Sequence, residues 1–159
     1  MTMALNLEFR LLRSTAEVQA AHHLESLSYS SDEGASLKNM LYRYEQAPHL
    51  FLGAFHGQTL VGYIMGTQAG AALVTHESMG RHDPRGSTVC VHSVCVDPRW
   101  RRRGVASMLL KKYTEMVRCR GGVKRLAMMS RVGLVPLYER NGYQCVGPSS
   151  VIHGKFKTT

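Results

Sequence analysis

The stretch Val94-Cys95-Val96-Asp97-Pro98-Arg99-Trp100-Arg101-Arg102-Arg103-Gly104-Val105-Ala106-Ser107 constrains this chain more than any other. An apolar run closes on Asp97-Pro98, a turn crowded with arginines follows, and the small residues Gly104 and Ala106 open a segment of helical periodicity. The pattern predicts a strand end, a turn and a helix N-terminus. A helix start leaves about four backbone N–H groups without intrahelical partners and carries partial positive charge, so it receives phosphate groups well. Gly104 and Ala106 lack bulk, which lets a pyrophosphate approach the main chain. A run of arginines alone reads as a solvated turn. What sharpens the phosphate reading is the next strand–helix unit, where Leu134-Val135-Pro136-Leu137-Tyr138-Glu139-Arg140-Asn141-Gly142-Tyr143 follows at a distance suited to an adjacent parallel strand.

Around this segment, strand-like and helix-like patterns alternate. Residues 7–12 read as a strand, and Ser14-Thr15-Ala16-Glu17 is a capping box before a helix carrying Val18, Ala21, Leu24 and Leu27. Residues 29–35 read as a loop, and 36–46 as a second helix burying Leu37, Met40, Leu41 and Tyr44, with Pro48 at its end. Two apolar strands, 50–55 and 60–67, flank the hairpin signal His56-Gly57-Gln58-Thr59. A long loop over 68–86 precedes a strand over 88–96, a helix over 101–118 stopped by Gly121-Gly122, and a strand over 124–129. A short helix over 134–140 and a hairpin of 143–146 with 151–156 complete the chain. This order implies a single domain over 1–159 of the α/β (α+β) class, with a mixed, mostly antiparallel sheet of about seven strands and helices on both faces.

Composition narrows the chemistry. With 44% hydrophobic and 19% charged residues the chain is globular in character, and no apolar run nears the roughly 18 residues of a membrane span. No leader pattern opens it, so a cytoplasmic protein is expected. Cys90, Cys95, Cys119 and Cys145 form no CxxC pair and read as reduced thiols. A zinc site needs about four ligands, and Cys90 with His92 finds no second cluster at suitable spacing, so no metal is expected. The net charge of +9 favours phosphate-bearing partners, whether nucleic acid, anionic membrane or CoA. Stacking platforms and a recognition-helix pattern are not evident, which leaves a basic nucleic-acid-binding module as the alternative of another class.

The motif Arg101-x-x-Gly104-x-Ala106 after a strand, with Leu137-Tyr138-Glu139-Arg140-Asn141-Gly142-Tyr143 downstream, resembles the acetyl-CoA motif of the GNAT superfamily of N-acetyltransferases. The likeness implies the GNAT fold, in which strands 4 and 5 splay into a V that admits the pantetheine arm. Val94, Cys95 and Val96 would bond that arm through their backbones, and Arg101, Arg102, Arg103, Gly104, Val105, Ala106 and Ser107 would hold the pyrophosphate. Over nearly the whole chain the sequence is similar to the arylalkylamine N-acetyltransferases, in their non-vertebrate form. That resemblance implies transfer of acetyl from acetyl-CoA to a primary amine by direct attack in a ternary complex.

An alkylamine with a pKa near 10 is protonated at pH 7, so a group must take its proton. The family relays it through two histidines on the fourth strand. His92 matches the second of them, and Cys90 stands in place of the first. A neutral thiol is a poor base, which leaves His92, or water ordered by it, as the candidate. Tyr138 matches the family tyrosine that protonates the departing CoA thiolate. Glu25 and Cys90 are expected on the acceptor side, and loop 29–35, with Asp32 and Glu33, over it. Glu77-Ser78 also matches the family. Residue chemistry alone leaves His92 open between a base and a hydrogen-bonded core histidine, and Tyr138 between an acid and a core aromatic. A polyamine or other small amine, and a non-catalytic acetyl-CoA sensor, stand as alternatives. No adaptor protein is expected.

Overall fold

The computed structural model describes residues 6–28, 36–70, 81–130, 132–147, 152–153 and 156–157. Strand β1 (Glu8–Leu11) leads into α1 (Thr15–Ser28), whose start is capped by Ser14 Oγ accepting from the Glu17 N–H at 3.3 Å. Ser36 caps α2 (Leu37–Gln46) in the same way, accepting from the Asn39 N–H at 3.1 Å. Strands β2 (Phe51–His56) and β3 (Thr59–Ala69) form the expected hairpin, with Gly57 at φ 62°. Then β4 (Thr88–Val96), α3 (Val105–Arg120) and β5 (Arg125–Met128) make a parallel crossover, followed by α4 (Val135–Arg140).

The main sheet runs β1-β2-β3-β4-β5, antiparallel as far as β4 and parallel between β4 and β5. Among the described residues its five strands correct the expected seven; there β6 (Ile152–His153) and β7 (Phe156–Lys157) pair only with each other, and 143–146 is not a strand. The Tyr143 N–H instead donates to the Tyr138 carbonyl at 3.0 Å, and the Tyr143 ring packs edge-on against Tyr138. That segment closes α4 rather than extending the sheet.

Two cores sandwich the sheet. One face packs Ile64, Val89 and Val91 against Leu109, Leu110, Tyr113 and Val117 of α3, with Tyr138 of α4. The other packs Phe51, Tyr63, Met65 and Cys95 under Val18, Ala21 and Leu24 of α1 and Met40 of α2. Gly66 makes the first contact possible, because a Cβ there would lie 2.6 Å from the Cys90 carbonyl oxygen and 2.8 Å from the Tyr113 hydroxyl. That hydroxyl donates to the Leu50 carbonyl at 2.9 Å.

Burial holds the phenols of Tyr63 and Tyr113 well above the ordinary tyrosine value and pushes Tyr138 and Tyr143 up to about 12. A phenol whose folded value is raised stabilises the fold fully below its unfolded value near 10, and that contribution is lost as pH rises toward the folded value. The expected result is alkaline unfolding that sets in above about pH 10, with tyrosinate absorbance appearing together with the loss of circular dichroism. Ionisation of all seven tyrosines of the chain near pH 10 with the fold intact would contradict these burial assignments.

Candidate acyl-CoA cleft and acceptor face

The pairing of β4 with β5 stops at Val91↔Met128, while β4 continues to Val96 and stays paired to β3 through Gly62↔Val96. Beyond Val91 the β5 side of β4 has no strand partner among the described residues. A cleft of about 650 Å³ opens there. Val94, Cys95 and Val96 form one wall, Leu134, Leu137 and Tyr138 another, and Gly104, Val105, Ala106 and Ser107 bring the start of α3 to it.

The helix begins four residues later than the sequence pattern suggested, because Pro98–Trp100 forms a separate 3₁₀ turn and the chain then passes through the left-handed region. Gly104 has φ 79°, and Arg102, with a side chain to accommodate, has φ 62°. Such a conformation at a non-glycine residue costs on the order of 1 kcal/mol and persists where the surroundings enforce it. The first turn of α3 has no side-chain cap and no acidic residue. Its N–H groups therefore face an open, positively polarised site, and a Cβ on Gly104 would meet nothing within 4 Å.

The arginines of the turn divide. Arg101 and Arg102 line the cleft, whereas Arg103 does not: its guanidinium lies over the Trp100 ring, 4.9 Å from the centroid. Arg101 donates from Nη2 to Ser28 Oγ at 3.0 Å and from Nε to the Val96 carbonyl at 3.4 Å. Ser107 Oγ accepts from Asn141 Nδ2 at 3.1 Å, tying α3 to the end of α4.

On the α1 face lies a polar group that the strand pattern did not reveal. Met65 pairs with Ser93 and Gly66 with Val91, so His92 is the extra residue of a β-bulge. The bulge turns both His92 and Ser93 toward α1. His92 Nε2 lies 2.8 Å from Thr67 Oγ1, and Ser93 Oγ donates to Glu25 at 3.1 Å to Oε1 and 3.2 Å to Oε2. The Tyr63 hydroxyl also donates to Glu25. Cys90 is fully buried and pairs with Thr67 across the ladder, which keeps it on the His92 face as expected.

Cys95 joins the cleft to this face. Burial, and then the Glu25 carboxylate, push its thiol up to about 12, so it stays protonated and is no nucleophile at neutral pH. Tyr138 is likewise held neutral, with its phenol pushed up to about 12 by burial and by the neighbouring Cys95 and Tyr143.

Sequence reasoning singled out Glu25, which the structure buries at 3% exposure, and it missed Tyr63, Thr67, Ser93 and Ser28. The available signal was the row of hydroxyl residues at Tyr63, Thr67 and Ser93 within otherwise apolar strands. Asp32, Glu33, Glu77 and Ser78 lie outside the described residues. Among the described residues no three His, Cys, Asp or Glu side chains gather as a metal ion would require, and no helix is long and apolar enough to cross a membrane.

Comparison with known proteins gives this arrangement, a strand leaving its parallel neighbour beside an uncapped helix start, a family. Residues 18–143 match the Acetyltransferase (GNAT) family, and the chain belongs to it. It is similar to the serotonin N-acetyltransferase of Mesocricetus auratus, with 36% identity over 107 residues covering 67% of this chain and 52% of that protein. That match therefore spans about half of the relative's length. The serotonin N-acetyltransferase of Macaca mulatta is 29% identical over 155 residues, 96% of this chain and 76% of its own.

Among solved structures, Ard1 from Thermoplasma volcanium superposes with a TM-score of 0.73 at 17% identity, covering 91% of this chain and 86% of that one. The GphF GNAT-like decarboxylase in complex with isobutyryl-CoA gives 0.70 at 26% identity, covering 86% and 72%. The family and fold expected from the Arg101–Ala106 motif are those observed.

Proposed function

We propose that this chain transfers the acetyl group of acetyl-CoA to a primary amine, with an arylalkylamine as the first acceptor to test. The observation that carries the reading is the cleft between β4 and α4, lined by the uncapped start of α3, by Tyr138 and by Cys95, which also packs among the residues under α1. Acetyl-CoA, when bound, supplies the acetyl group as a thioester. Main-chain amides of Arg101, Arg102, Arg103, Gly104, Val105, Ala106 and Ser107 would hold its pyrophosphate, and the exposed edge of Val94, Cys95 and Val96 its pantetheine arm.

The protein's own groups then handle protons. His92, with Nε2 held at Thr67, takes the proton of the ammonium, directly or through water, so that a neutral amine attacks. Glu25, fixed by Tyr63 and Ser93 and electrostatically coupled to Arg43, offers a carboxylate to an ammonium on the acceptor side. Tyr138 gives its proton to the departing sulfur. Cys90, enclosed beside His92, shapes that face.

The test is thiol release from acetyl-CoA across arylalkylamines, polyamines, amino acids and a lysine peptide, alongside the melting temperature with acetyl-CoA. Thermal stabilisation without release would make the protein a sensor. Retention on heparin without any response to acetyl-CoA would end the enzyme reading. For the base, His92→Gln is expected to lower kcat/KM by about a hundredfold at pH 7 and to shift the pH–rate profile. An unchanged pH profile would leave His92 as a structural partner of Thr67.

A further inference from the structure

The first arginine of the cofactor loop does not point at the loop's own helix. Arg101 Nη2 donates to Ser28 Oγ at 3.0 Å and Nε to the Val96 carbonyl at 3.4 Å, so its side chain reaches from the β4–α3 turn to the last residue of α1. Ser28 Oγ donates in turn to the Leu24 carbonyl at 3.2 Å and accepts from the guanidinium through a lone pair. The last turn of α1 contains no basic residue of its own, although that end of a helix favours a cation. Arg101 supplies the missing charge from another element. The turn it meets is the one that carries Glu25, three residues before Ser28.

We propose that Arg101 is a positioning residue that fixes the Glu25-bearing end of α1 from the cofactor loop, and that its side chain is not principally a phosphate ligand. The uncapped N–H groups at the start of α3 belong to the main chain and do not depend on that side chain. The two substrate sites are thereby joined through one side chain: ordering the loop also orders the acceptor wall. The kinetic part of this inference rests on the acetyl-transfer reading, and the structural part does not.

Two measurements test it on the full chain. In hydrogen exchange with CoA bound, Arg101→Ala should lose about tenfold of the protection of the last-turn amides of α1 while the α3 amides keep theirs. In kinetics, Arg101→Ala should lower kcat/KM for the amine about tenfold and leave the acetyl-CoA dissociation constant within about twofold. Ser28→Ala should act in the same direction and add nothing further on the Arg101→Ala background. Unchanged exchange in α1, strictly additive effects, or a tenfold loss of acetyl-CoA affinity with amine kinetics intact would overturn the assignment. If no amine is acetylated at all, the exchange result still decides it, so failure of the acetyl-transfer reading and failure of this inference remain separable.

Discussion

Replacing Tyr138 with phenylalanine is expected to lower kcat by at least about a hundredfold while leaving acetyl-CoA affinity within about twofold and the fold intact. The ring is 7% exposed and packs edge-on against Tyr143 at 6.0 Å, contacts that phenylalanine keeps. The hydroxyl makes no hydrogen bond among the described residues, so its removal leaves no partner stranded. What is lost is a proton donor at the cleft wall, held neutral by burial up to about 12. Because that value is raised, Tyr138 stays protonated throughout the neutral range and sets no alkaline limb of kcat between about pH 6 and 9. Stopped-flow or single-turnover rates measure the step. A variant with normal kcat would return Tyr138 to the hydrophobic core and leave the leaving sulfur to be protonated by solvent.

Which parts of this molecule were legible in its sequence follows from how local the determining physics is. The turn before α3 was readable because a positive φ favours the glycine found at Gly104, and because an apolar run closed by Asp97-Pro98 marks β4. The hairpin at Gly57 was readable for a similar reason, since a positive φ selects glycine. The stripe of α1 was misread. Successive steps of three residues each fall about 60° short of a helical turn, so a stripe drawn through 18, 21, 24 and 27 drifts half-way round the helix. Leu27 accordingly emerges 50% exposed, and Glu25, near the Val18 line, is 3% exposed. A regular alternation of threes and fours would have placed a carboxylate on the buried face.

The bulge at His92 was not legible, because no residue in Cys90-Val91-His92-Ser93 demands an unusual φ. It arises from pairing with β3, 25 or so residues away in the chain. Its consequence is the Ser93–Glu25 contact: without the extra residue, Ser93 would turn to the α3 face and could not reach Glu25. The edge of the sheet was over-read for a related reason. Residues 143–146 have strand-like composition, but the cap at Tyr138 claims the Tyr143 N–H first.

The anion cradle can be tested with a substitution whose effects on folding and on binding have opposite signs. Ala106 is the second residue of α3, and an aspartate there meets the positive end of the helix, worth about 0.3–1 kcal/mol. Ala106→Asp should therefore keep or slightly raise the melting temperature of the free protein. The same carboxylate sits where the pyrophosphate would rest, competes for the same N–H groups, and repels the ligand by on the order of 4 kcal/mol per charge at about 4 Å in a partly screened site. Acetyl-CoA affinity should drop by more than about a hundredfold, and the thermal shift it produces should vanish. Ala106→Asn, similar in size but neutral, should keep most of that shift, which separates charge from bulk. If acetyl-CoA stabilises the aspartate variant as strongly as the parent, phosphate does not bind at the start of α3, and the roles assigned to Tyr138 and His92 lose the ligand that relates them.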